Sequence, residues 1–264
     1  MKTNRLLIMI SLLIYCQILI LGCGNNSETS PSTEETTSED AFTVEEDENG
    51  SMHEEFYRLL QNEQNHEVIY SFFEKNISAT QHDDADKFVL GLMGLEDNIR
   101  NVDFKRIQPY TDYMSNEMTS FVNFMAKEQD SPSIENGQVQ ATLADLLLNI
   151  RDLEIQITTY PDGITLSYAY DLYCEMMTAA ITGGYDEKSG KENYHINSDK
   201  EHIDGHAIDA YNAFITENPD TKTAAILKKY IDTLDNSKKT IDEGVKDFYA
   251  NLFGTIREEF GIEQ

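Results

Sequence analysis

The chain has no tryptophan, three cysteines and only 20 Lys and Arg against 48 Asp and Glu in 264 residues. Three cysteines cannot staple a disulfide scaffold or supply zinc-ribbon arrays. A net charge of −28 leaves no basic surplus to displace the counterions of a nucleic acid, so that class of partner is excluded. Gly-x-Ser-x-Gly, a P-loop and Gly-x-Gly-x-x-Gly are also missing, and with them the signals of the commonest catalytic and nucleotide sites. What is present suffices for a core: 40% of residues are hydrophobic and 10% aromatic, which rules out general disorder.

Lys2 and Arg5 precede an apolar run from Leu6 to Leu21, broken only by Ser11 and Gln17, the layout of a secretory signal. The run closes on Ile20-Leu21-Gly22-Cys23. This ending resembles the lipobox of bacterial lipoproteins, although Leu21 is larger than the usual residue there. The resemblance implies cleavage before Cys23, lipidation (palmitate and diacylglycerol) of that cysteine, and a chain held on the outer face of the cytoplasmic membrane. The competing reading is an uncleaved anchor, for which the apolar run sits at the low end of the spanning length. Positive residues at the start stay cytoplasmic in both cases, so the remainder faces outward. With Cys16 in the signal and Cys23 lipidated, Cys174 is the only free thiol left, and a lone Cys in an apolar stretch is more often a small hydrophobe than a nucleophile.

Residues 24–50 hold nine acids, no Lys or Arg, and many Ser and Thr. Such a segment buries too little to fold and its like charges extend it, so it reads as a tether spanning roughly 25 to 30 Å or more. The expected organisation is therefore a signal peptide at 1–22, a lipidated Cys and tether at 23–50, and a folded domain at 51–264.

Within that domain the apolar residues recur at helical spacing. Ser51 with Glu54, and Ser198 with Glu201, fit capping boxes. Asp83 or Asp84 reads as the N-cap of a helix carrying Phe88, and Gly91 and Gly94 suit close helix approach. Stripes follow from Tyr110 to Met125, from Val139 to Leu153 and from Leu166 to Ala180, with Tyr160-Pro161-Asp162-Gly163 as a turn and Gly183-Gly184 as a stop. Later stripes run from Ile203 to Ile215, from Ala225 to Leu234, and from Ile241 to Phe260, with a break at Asn236-Ser237. A strand is possible near Ile155 to Tyr168, yet no convincing period-two alternation occurs. The fold class expected is an all-α bundle of seven to nine helices, as one domain or as two joined near Pro132 or Gly183.

Two clusters invite a chemical reading. His195, His202, His206 and Asp209 fall in one short segment, and the separation of four between His202 and His206 would put both imidazoles on one helical face, a spacing that zinc sites use. Gly205 weakens that helix, and Ile203 stands where a zincin has Glu. Gly205-His206-x-x-Asp209 resembles, over five residues, the Gly-x-His-x-x-Glu signature of imelysin-like helical lipoproteins, with Gly directly before His and Asp in place of Glu. The second cluster is acidic: residues 107–187 hold 13 acids and only two bases, Lys127 and Arg151. Tyr110, Met114, Met118, Tyr168, Tyr173 and Met176 fall in the same stretch, as core residues or as adaptable walls of a groove for a cationic peptide or protein. His82-Asp83-Asp84-x-Asp86 lacks the Gly and terminal Glu of a calcium loop.

The sequence thus points to a lipid-anchored extracytoplasmic protein whose acidic helical domain binds another protein, a peptide (a cationic one among the candidates) or a wall-associated component, without catalysis or a required cofactor. The alternative is a divalent-metal protein or metal-dependent hydrolase on the histidine cluster. Replacing Cys23 with Ser should stall processing or release the protein from the membrane fraction; unchanged retention and an unchanged intact mass would refute lipidation.

Overall fold

The computed structural model describes residues 48–80, 82–135, 138–183, 195 and 202–262. The signal segment, Cys23 and the tether up to residue 47 lie outside the described residues, as do Ser198 and Glu201. The chain is all-α, as its periodicity predicts. Ten α-helices occur among the described residues: α1 (Glu48–Asn62), α2 (His66–Asn76), α3 (Asp83–Met93), the single turn α4 (Phe104–Ile107), α5 (Asn116–Asp130), α6 (Leu143–Thr159), α7 (Leu166–Thr182), α8 (Gly205–Glu217), α9 (Lys222–Asn236) and α10 (Glu243–Phe260). One antiparallel hairpin, β1 (Ile134–Glu135) with β2 (Gln138–Val139), pairs Ile134 with Val139. No helix among the described residues is long and apolar enough to cross a membrane.

Several boundaries differ from the sequence reading, each for a local reason. Helix α1 starts at Glu48, so Ser51 sits inside it and does not cap it. At α3 the N-cap is His82, with φ at 48°, and Asp83 and Asp84 belong to the first turn, where their charge meets the positive end of the helix dipole. Val139 joins the hairpin, and α6 begins later behind Thr142, whose side chain accepts from the Asp145 N–H. The cap of α8 is Asp204, accepting from the His206 N–H at 2.7 Å. Ile155 to Tyr168 forms no strand: α6 and α7 flank the expected turn. Gly183, at φ 56°, ends α7 in the left-handed conformation that glycine tolerates.

Residues 47–264 form one compact unit. Helix α7 carries buried residues almost all round, from Ala169 through Tyr173, Met176 and Met177 to Ile181, as a central helix must. It packs on α6 and α10, while α9 packs on α8, α10 and α6. Three fully buried tyrosines anchor this half, and each phenol finds a partner. Tyr211 donates to the Ala180 carbonyl at 2.6 Å, Tyr230 meets the Tyr249 hydroxyl at 2.9 Å, and Tyr173 meets Thr223 Oγ1 at 3.0 Å. At the other end α1 lies close over α3, since a Cβ at Gly91 would stand 2.6 Å from Phe56 Cε1. The two-glycine spacing therefore serves helix approach at Gly91.

Acids are part of this core. Glu154 on α6 is buried and accepts from the Lys222 N–H (2.6 Å), the Thr223 N–H (2.9 Å) and Thr223 Oγ1 (2.7 Å), closing the N-terminus of α9. Glu128 on α5 is likewise buried and accepts from Ser133 N–H and Oγ and from Asn149 Nδ2 at 2.7 to 3.1 Å, fixing the start of the hairpin. Glu154→Ala strands three donors in the interior and should lower unfolding stability by about 3 kcal/mol, whereas Glu154→Gln keeps an acceptor and should cost about 1 kcal/mol. The urea midpoint, at unchanged slope, reads both.

Candidate functional site

The structure disperses the histidine set. His202 precedes the cap of α8 and forms a β-bridge with Thr240, whereas His206 lies within the helix, so the two do not share a helical face. His206 and Asp209 are exposed, and His195 packs edge-on to Tyr211 with ring centroids 6.3 Å apart. Among the described residues no three such side chains converge on a common point.

The Tyr and Met stripe is core. Met114, Met118, Tyr173 and Met176 are buried and present no surface to a partner. Tyr110 and Tyr168 are half-buried against Phe73 and Phe121. Of the two readings of this stripe the burial fits helix core, whose signature is the 3.6-residue period. The acids of the same stretch divide as well. Glu128 and Glu154 are consumed inside, while Asp112, Asp130, Glu135, Asp145, Asp162, Asp171 and Glu175 are exposed.

A site that the sequence reading passed over lies where the N-terminal turns of α3 and α5 meet the α6–α7 connection. A cavity of about 510 Å³ opens there, with Leu90, Tyr160 and Ile164 as apolar wall and Asp86, Glu117 and Asp83 as acidic lining. Ile164 is 44% exposed and Asp86 only 3%. The local sequence dictates this placement. Asp86 occupies a position of α3 between Ala85 and Phe88 on the inward face, so the helix that buries Phe88 and Val89 carries the carboxylate inward with them.

Each acid is held. The Ser115 N–H donates to Asp86 Oδ1 at 3.0 Å, and the Ser115 hydroxyl caps α5 by accepting from the Met118 N–H. Glu117 Oε1 accepts from Thr165 N–H and Oγ1, both at 2.7 Å. Gly163 makes this possible, because a Cβ there would run into the Glu117 carboxylate. Gln156 Nε2 completes the corner, donating to the Glu117 carbonyl and to Thr165 Oγ1. Lys87, the one cation at the rim among the described residues, is engaged by Asp84 at 2.9 Å. Asp86 forms no ion pair among the described residues.

A buried carboxylate with no countercharge is costly. Burial pushes the Asp86 carboxyl above the usual carboxylate value, and the neighbouring charges of Glu117 and Asp83 add to the rise against the pull of Ser115. A positive charge placed in the cavity would relieve Asp86, and Leu90, Tyr160 and Ile164 offer apolar surface beside it. The signal available in the sequence was a carboxylate in register with the apolar positions 85, 88, 89 and 92, which the neighbouring Asp83 and Asp84 masked.

No family model matches the chain, and neither does a curated protein or a solved structure.

Because its folded-state pKa is raised, Asp86 binds its proton more tightly in the native chain than in the unfolded one. Its ionisation penalty is absent below the unfolded-state pKa, builds as pH rises through the window up to the folded value, and stays in full above it. Asp86→Asn keeps an acceptor for the Ser115 N–H. The variant should match the parent at about pH 4 and exceed it in stability at about pH 7, as read by urea unfolding at both pH values.

Proposed function

We propose that this protein is a lipid-anchored binding module of the bacterial cell envelope, which captures a cationic protein or peptide without catalysis. In this reading the acylated Cys23 and the acidic tether hold the domain off the outer face of the cytoplasmic membrane, and the cavity over Asp86 receives one lysine or arginine side chain of the partner. The observation that carries it is the buried, uncompensated Asp86 at the base of an apolar-walled cavity. The exposed acids of α5, α6 and α7 support the same reading, since they would draw a basic surface toward the domain at low ionic strength.

The test is a calorimetric titration of the full chain in detergent with a short peptide carrying one lysine, beside its norleucine twin. Expected are binding of the lysine peptide only, a loss of about tenfold in Asp86→Asn, and weakening in about 0.5 M NaCl. Equal binding of the norleucine peptide, or an Asp86→Asn variant that binds as the parent does, would overturn the reading.

A further inference from the structure

A second concavity has a different chemistry. It lies between residues 98–105, the C-terminal end of α5, the hairpin and α7, and measures about 800 Å³, within the range of small-molecule sites. Apart from Glu135 at the rim, its charged groups are already engaged. Arg100 donates to Glu175 at 3.0 Å and lies 3.7 Å from the buried Glu128, and Lys105 pairs with Asp130. Asp103 accepts from the Arg106 N–H, closing α4. Gln129 is spent on the backbone, donating to the Val102 carbonyl and accepting from the Lys105 N–H. An anionic ligand would have to displace these pairs to reach Arg100 or Lys105.

The groups left with unused capacity are neutral donors and one acceptor at the rim. Asn98 is fixed by its Oδ1, which accepts from the Arg100 N–H at 3.0 Å, so its amide nitrogen remains to donate. The Asn101 amide and the Glu135 carboxylate also line the cleft and hold no hydrogen bond among the described residues. Met125 and Ile134, both buried, and Pro132 give it an apolar strip. The floor is stiff, because Glu128, Ser133 and Asn149 bond to one another and Lys127 closes the set on Asn149 Oδ1 at 2.8 Å.

We propose that this cleft binds a neutral polyhydroxylated ligand, a saccharide. Hydroxyl groups both donate and accept, so adjacent ones can bridge an amide N–H₂ and a carboxylate without displacing an ion pair, and the C–H face of a sugar ring covers the apolar strip. This site is independent of the cavity over Asp86, which is built from other elements.

Saturation-transfer NMR on the full chain tests it, in a detergent without a sugar headgroup, with the N-acetylglucosamine disaccharide and cellobiose as probes. Expected is transfer to at least one of them, weakened at least about fivefold in Asn101→Ala and in Glu135→Ala. Both positions are exposed, and their side chains carry no hydrogen bond to the described residues whose loss would disturb the fold. Asp86→Asn is the control and should leave the transfer unchanged, so the saccharide site and the cation site fail separately. Absence of transfer from both sugars, equal transfer in the two cleft variants, or equally effective displacement by triglycine would overturn the proposal.

Discussion

Four carboxylates pin backbone that belongs to other segments, and the arrangement of the helices depends on them. Asp86 on α3 accepts from the N–H that opens α5, Glu117 on α5 from the one that opens α7, Glu128 from the strand entry at Ser133, and Glu154 on α6 from two that open α9. A helix start has N–H groups without intrahelical partners and a positive dipole end. A carboxylate delivered from a neighbouring helix satisfies both, and its own burial becomes tolerable because its acceptor sites are filled. A chain so rich in acids has thus used some of them as interior acceptors.

Asp86 stands apart from the other three. Glu154 and Glu128 each accept three hydrogen bonds and the half-buried Glu117 accepts two, whereas Asp86, as buried as Glu128 and Glu154, is held by Ser115 alone among the described residues and lines a cavity. The difference separates acids whose acceptor sites are filled by several donors from one held by a single residue. In the 800 Å³ cleft Arg100 and Lys105 are neutralised by their pairs, and the amides of Asn98 and Asn101 are left open beside the Glu135 carboxylate.

Much of the fold was legible in the sequence because helix burial is periodic. Phe121, Val122 and Met125, or Leu172, Tyr173 and Met176, announce their faces at separations of three and four. Turns were legible where glycine or proline marks them, as at Pro161 and Gly183. Three things were not. The hairpin is too short for a period of two to register. His202 and His206 satisfy a helical spacing, but the helix begins between them, and spacing cannot say where a helix starts. The buried acids were hidden by abundance: Glu128 and Glu154 look like any of the other acids between residues 107 and 187, and only contacts across 21 to 69 residues of chain distinguish them.

Those separations bear on how the chain finds a single structure. Helix propensity and apolar stripes are forgiving, since a helix moved by one turn along its neighbour still buries leucines against leucines. The carboxylate caps are not forgiving. Sliding α6 one turn against α9 would leave Glu154 charged in an apolar contact and strand the amides of Lys222 and Thr223 at the same moment, so a single slip incurs two penalties. The acids raise the energy of near-native alternatives by more than they lower that of the native state, which widens the gap between one packing and its many look-alikes.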